Sequence, residues 1–167
     1  RVYDFDPTRA LPVLDKLLQN SSFYKGMLDP SKLKENSTLL ANVVMEITTK
    51  NNGYVFQELT LDDNIMWQIQ CMGTGFSTHT TDSAVARNMI DALVTHGMDF
   101  LPYLFAAIPT VAREEIEAQP EGQLALMLGN MKPLDEEKAN ELIDTAVQWQ
   151  SNFGIQSILK EKRLSKY

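Results

Sequence analysis

The chain has 167 residues, 44% of them apolar and 22% charged, an ordinary globular composition that argues against a disordered protein. Its 22 acidic and 15 basic residues give a formal net charge of −7, the opposite of the balance on most nucleic-acid-binding domains, so nucleic-acid partners are not expected. Because Cys71 is the only cysteine, an intrachain disulfide and a zinc site built on several cysteines are excluded.

The first third of the chain contains two helix-start signals and one amphipathic segment. Residues 1–6 are expected to form a short N-terminal arm. The pairs Asp6-Pro7 and Asp29-Pro30 each place a capping residue before a proline, which is typical of helix starts. Between residues 37 and 50 apolar side chains recur on one face, and Gly53 follows as a stop signal, so this segment is predicted to be a helix.

The segment from residue 54 to residue 75 fits two structures. Thr60 and Asp63 are spaced like a capping box, and apolar residues continue at helical spacing up to Met72, which predicts a helix. The alternation of residues 67–71 is instead typical of a strand, and residues 55–59 could pair with it as a hairpin. Both interpretations stay open at this stage. A helix gives an all-α fold, and a small hairpin near residues 54–71 gives an α+β fold.

The clearest helix signals lie between residues 81 and 118. An apolar periodic run over residues 81–96 ends at Gly97. Asp99 opens a second run, residues 100–108, which is apolar on every side, so this short helix has to be buried inside the protein. Pro109 is expected to end it and to open a charged helix that extends to residue 118.

Three further segments complete the chain. Residues 124–128 are again nearly all apolar and are predicted to be buried. Pro133 and Asp135 open a long predicted helix, which Gly154 closes, and residues 155–164 form a last short helix. Residues 160–167 contain four basic residues and one acidic residue, so a basic C-terminal tail is expected.

Together these elements predict an all-α fold. We expect an irregular single-domain bundle of about six to eight helices over residues 1–167, with the apolar residues 100–108 at its centre. No apolar stretch approaches the roughly 20 residues that a membrane-spanning helix needs. A soluble protein is therefore expected, and a cytoplasmic location is favoured.

The loop between residues 73 and 83 is the first candidate site. It combines two glycines, several hydroxyl side chains and a histidine just before a helix, where backbone amides and the helix dipole can hold an anion. The spacing is neither that of a phosphate loop nor that of a dinucleotide-binding motif, and the same residue types are typical of an ordinary helix entry. The candidate ligand-binding residues are Gly73, Gly75, Ser77, Thr78, His79 and Thr81.

A second hypothesis is an enzyme that uses Cys71 or His79 with an acid such as Asp82. Such chemistry requires a thiolate held beside its base. The competing interpretation is a buried, unreactive thiol, because Cys71 lies in an apolar run. The two histidines, His79 and His96, have no metal-binding spacing, so neither a metal site nor a cofactor is predicted.

The leading hypothesis is a non-catalytic protein-interaction module, such as an adaptor, a chaperone-like subunit or a component of a larger assembly. The eight methionines favour it, because flexible thioethers fill irregular cores and also line adaptable binding surfaces. The two short, nearly all-apolar segments at residues 100–108 and 124–128 also have to be covered on every side by other helices. If they are not covered completely, an apolar patch remains on the surface. The expected partner is another protein or a second copy of the chain.

Overall fold

The computed structural model describes residues 33–55, 59–118 and 134–164, together with residues 12, 15, 16, 19–21 and 31. Over these residues the predicted all-α fold is confirmed, since seven helices with defined bounds are present and no strand or sheet is formed. The helices are α1 Leu33–Lys50, α2 Leu61–Gly73, α3 Ser83–His96, α4 Leu101–Val111, α5 Arg113–Glu117, α6 Glu136–Asn152 and α7 Ile155–Leu164, and a 3₁₀ turn, Met98–Phe100, precedes α4.

The start of α2 decides between the two interpretations of residues 54–75. The Asp63 backbone N–H donates to the Thr60 hydroxyl at 3.2 Å, and the Thr60 N–H donates to the Asp63 carboxylate at 2.9 Å. This reciprocal capping box satisfies two amides that a helix start would otherwise leave unpaired, and residues 61–73 are helical. The alternative hairpin near residues 54–71 is therefore wrong, although residues 56–58 lie outside the described residues.

Helix α4 forms the centre of the bundle, as predicted. Every residue from Leu101 to Pro109 is buried, and α4 packs against both α1 and α6. The Phe105 ring meets the Trp67 ring edge-on at a centroid distance of 5.5 Å, which joins α2 to the same core. Burying each large apolar side chain in this way stabilises the fold by about 1.5–3 kcal/mol. Although most of α4 is apolar, none of the described helices is long and apolar enough to cross a bilayer.

The predicted end of the buried helix at Pro109 is wrong. Helix α4 continues through Pro109 to Val111, and the charged helix α5 begins only at Arg113. Proline removes one backbone hydrogen bond and crowds the preceding turn, but Pro109 is buried with the apolar residues before it, and this packing offsets the cost. The Thr110 hydroxyl also accepts the Tyr54 N–H at 2.9 Å, which fixes the last turn of α4 to the segment after α1.

The C-terminal elements follow the sequence pattern. The Asp135 carboxylate accepts the Lys138 N–H at 2.9 Å and caps α6, and α7 ends at Leu164. Lys160, the first residue of the predicted basic tail, belongs to α7. The predicted arm at residues 1–6, the helix-start signals at Asp6 and Asp29, the apolar segment 124–128 and residues 165–167 lie outside the described residues.

Candidate functional site

The loop between α2 and α3 is held mainly by its own backbone. Gly73 is the last residue of α2, and Gly75 has a positive φ of 56°, which glycine adopts without a side-chain clash. Phe76 follows with a φ of 66° and a buried ring. Its N–H donates to the Cys71 carbonyl at 3.0 Å, so the chain reverses direction directly after α2.

Thr78 and His79 are two predicted site residues that the structure brings into contact. Thr78 Oγ1 lies 2.9 Å from His79 Nδ1, and Thr74 Oγ1 lies 2.9 Å from Thr78 Oγ1. The His79 side chain is fully buried, with its ring centroid 6.1 Å from that of Trp67. The imidazole is therefore part of the core beside α2, and it is not presented to solvent.

A short β-bridge explains why His79 is buried. The Leu134 N–H donates to the His79 carbonyl at 3.0 Å, and the Thr81 N–H donates to the Leu134 carbonyl at 2.8 Å. Leu134 is itself fully buried just before α6, so the bridge holds residues 79–81 against the core. Nothing in the local sequence indicated this contact, because Leu134 is distant along the chain.

The start of α3 is occupied by Asp82. Its carboxylate accepts the backbone N–H groups of Ala84 at 2.7 Å and Val85 at 3.0 Å. These are amides that an anion bound at this helix end would use, and the carboxylate places a negative charge beside them. Ser77 and Thr81 are exposed, whereas His79 is buried. Ligand binding by this loop stays a prediction.

Cys71 is fully buried, and burial raises the pKa of its thiol far above the usual range. The thiol therefore stays protonated at neutral pH and is not activated as a nucleophile in this conformation. His96 is exposed, with its ring 4.6 Å from the Phe100 ring. Within the described residues no three His, Cys, Asp or Glu side chains form a group that could hold a metal ion. Catalysis by Cys71 or His79 stays a prediction.

A solvent-facing cleft between α1 and α2 is a feature that the sequence did not reveal. Its interior volume is about 40 Å³. We call it the α1–α2 cleft. It is lined by residues from α1 and α2, from the connection between them and from α4. The lining includes Val44, Met45, Thr48, Val55, Trp67 and Pro109.

Polar groups at the α1–α2 cleft are bonded within the protein. The Thr48 hydroxyl donates to the Val44 carbonyl at 2.9 Å. The side-chain oxygen Oδ1 of Asn64 accepts the Trp67 indole N–H at 3.2 Å, while the side-chain nitrogen Nδ2 of Asn64 donates to the Thr60 backbone carbonyl at 3.0 Å. These bonds leave the aliphatic and aromatic parts of the lining as its main contact surface, so the cleft suits an apolar group.

Exposed large apolar side chains are concentrated in one part of the described chain. All of them lie between residues 45 and 94, on α1, α2, α3 and the connection from α1 to α2, whereas residues 101–118 and 134–160 contribute none. Met66 is the most exposed of them, at 68%. The complete set is Met45, Val55, Leu61, Met66, Ile69, Ile90 and Val94.

Gln68 is a buried polar residue without an evident structural role. Only 1% of its surface is exposed, and neither its amide oxygen nor its amide nitrogen has a hydrogen-bond partner among the described residues. Leaving such groups unpaired in the interior costs about 1–3 kcal/mol.

No family model matches the chain, and the comparisons with curated proteins and with solved structures return no match either. The function of this protein is therefore inferred from the side chains and surfaces described above.

Proposed function

We propose that this protein is a non-catalytic protein-interaction module, acting as an adaptor or as a subunit of a larger assembly. The observation that carries the proposal is that, among the residues the structure describes, the exposed large apolar side chains all lie between residues 45 and 94. Single exposed apolar residues are normal on any surface, but their concentration on one group of helices is typical of a surface that another protein covers.

The arrangement of these side chains on the helices supports the proposal. Met66 and Ile69 lie three residues apart on α2, and Ile90 and Val94 lie four residues apart on α3, so each helix presents an apolar pair on one face. The Ile90 side chain approaches within 3.9 Å of the position that a Cβ atom on Gly75 would take. Ile90 of the α3 pair therefore lies beside the loop that follows α2.

Charge indicates the kind of partner. A net charge of −7 attracts basic proteins and repels a second copy of the chain at long range. A basic partner is therefore favoured over self-association. The flexible side chains of Met45 and Met66 are suited to packing against a partner surface that is not perfectly complementary.

The test is capture of the partner from the native cell extract by the full chain, followed by mass spectrometry. The Met66→Glu variant places a carboxylate at the most exposed large apolar position of the described part of the chain, and the captured partner is expected to be lost. Gln148→Glu adds the same group at an exposed position of α6 and is the matched control, which should retain the partner.

Equal capture by all three proteins would show that the apolar surface is not the interface. Absence of any protein that the wild type captures above background would count against an interaction module altogether.

A further inference from the structure

We propose that the α1–α2 cleft receives one aliphatic side chain from a partner segment that carries Lys or Arg beside that side chain. This inference rests on the proposed interaction function and adds the chemistry of the partner. It follows from the size of the cleft, its apolar lining and the charges next to it.

The cleft is large enough for one side chain but too small for a typical small-molecule ligand. Small-molecule pockets typically have volumes of roughly 300–1,000 Å³. The interior volume of about 40 Å³ is far smaller. It corresponds to a few water-sized spaces of about 10–15 Å³ each, which is enough for the end of one aliphatic side chain.

The floor and the rim of the cleft suit an anchor residue. Val44, Trp67 and Pro109 are buried, so the floor is fixed by the core, whereas Met45 and Val55 at the rim are each 41% exposed. An anchor that enters the cleft would also cover part of Met45 and Val55, and this removes further apolar surface from water. Such a central apolar contact surrounded by a closing rim is the usual form of a binding hot spot.

Two acidic residues at the start of α2 are next to a cleft residue in the sequence. Asp62 and Asp63 directly precede Asn64, which lines the cleft, and neither forms an ion pair among the described residues. Hydrogen bonds from the Thr60 side chain and backbone lower the pKa of Asp63, so its carboxylate stays charged at neutral pH.

Two basic side chains close to the cleft in the sequence or in space are each paired with an acid. Lys50 pairs with Glu46 at 3.7 Å and lies 5.5 Å from the centre of the Phe153 ring. Arg113 stacks 4.5 Å from the centre of the ring of Tyr54, which also lines the cleft, but it donates to Glu117 at 2.9 Å, so its charge is balanced by that carboxylate. The two aspartates at the start of α2 therefore favour a cation on the partner segment, next to the residue that fills the cleft.

A second copy of this chain fits the cleft poorly. It would bring another molecule with a net charge of −7 towards Asp62 and Asp63. The occupant is therefore a segment of a different, basic protein.

The experiment is selection of a random dodecapeptide library on the immobilised full chain, followed by affinity measurements on the enriched peptides. Val55→Trp fills the cleft from its rim, at a position exposed enough to accept a larger side chain. Val94→Trp makes the same substitution at a 44% exposed position on α3 and is the matched control. Val55→Lys is a second cleft variant that places a cation where the partner cation would lie.

The expected peptides contain Leu, Ile, Met or Val next to Lys or Arg. Their affinity should fall on the order of tenfold or more with Val55→Trp and with Val55→Lys, and it should be unchanged with Val94→Trp. Asp62→Asn should weaken the binding by a few-fold and reduce its dependence on salt.

Two results would overturn the inference while leaving the interaction function intact. One is enrichment of peptides whose affinity is lost with Met66→Glu but unchanged with both Val55 variants. The other is a consensus without basic residues. Enrichment of no peptide at all, together with no partner captured from the extract, would refute both proposals.

Discussion

Gly53 shows how closely the turn after α1 packs against the rest of the protein. A Cβ atom at this position would lie 2.6 Å from Trp149 Cη2 and 2.9 Å from Thr48 Cγ2, both closer than real side-chain contacts. The sequence predicted Gly53 as a helix stop, but it could not show that Trp149 from α6 fills the space beside it. Steric fit to a distant helix, rather than backbone freedom, makes glycine necessary here.

The substitution Gly53→Ala is therefore expected to destabilise the protein by about 1–3 kcal/mol, because Trp149 and Thr48 must move to admit a methyl group. Gly154→Ala is the control, since no atom lies within 4 Å of the added carbon there, and it should change stability by no more than about 0.5 kcal/mol. Urea unfolding followed by circular dichroism measures both. Equal stability of the two variants would contradict the packing at Gly53.

Tyr103 provides a prediction for alkaline pH. Its hydroxyl donates to the Phe153 carbonyl at 2.6 Å, and burial, with a smaller contribution from the Asp99 charge, raises the pKa of Tyr103 to about 12 from its ordinary value of 10.0. Because the folded state holds this proton more tightly, the stabilisation is complete below pH 10 and is lost as the pH rises towards 12.

Wild-type stability should therefore fall more steeply than that of Tyr103→Phe between these pH values. Denaturant unfolding at a series of pH values gives the two slopes. Parallel slopes would show that the phenol is not the titrating group.

Helix starts are the elements that the sequence predicted best. Thr60 with Asp63, Asp82 and Asp135 all cap the helices that follow them, because capping depends on a few neighbouring residues and their own backbone. The end of α4 was predicted wrongly, since the local cost of Pro109 is outweighed by burial that depends on the whole bundle.

Asp82 allows this local stabilisation to be measured. Asp82→Ala removes the acceptor of two backbone N–H groups and is expected to cost about 1 kcal/mol, whereas Asp82→Asn keeps an acceptor and should cost less. Thermal unfolding by calorimetry checks the order of the three proteins. Identical melting temperatures would mean that water replaces the carboxylate at no cost.

At the scale of the whole molecule, the core was predictable and the candidate surfaces were not. The burial of residues 100–108 follows from composition alone, because a helix that is apolar all round must be enclosed. The α1–α2 cleft joins Val44 to Pro109, and the bridge that buries His79 joins it to Leu134, so both depend on contacts between residues far apart in the sequence. The hydroxyl-rich loop at residues 73–83 therefore has a core histidine at its centre, which its sequence did not indicate.

One core shared by most helices should unfold as one unit. Trp67 on α2 and Trp149 on α6 are both buried in the same cluster around α4. Tryptophan fluorescence and far-ultraviolet circular dichroism are therefore expected to give superimposable urea transitions. Separate midpoints for the two signals would show that α2 and α6 belong to independently folding units.

Replacing Gln68, whose buried side-chain amide has no hydrogen-bond partner among the described residues, is expected to increase the stability of the folded protein. Methionine has a similar length and no polar group to leave unsatisfied, so Gln68→Met should raise the free energy of unfolding by about 1–3 kcal/mol. For a chain of this size, each kcal/mol corresponds to an increase of roughly 2–4 °C in melting temperature. A lower melting temperature would mean that the amide finds a partner in solution. A successful variant would be a more heat-resistant sample for crystallisation, with its outer surface unchanged.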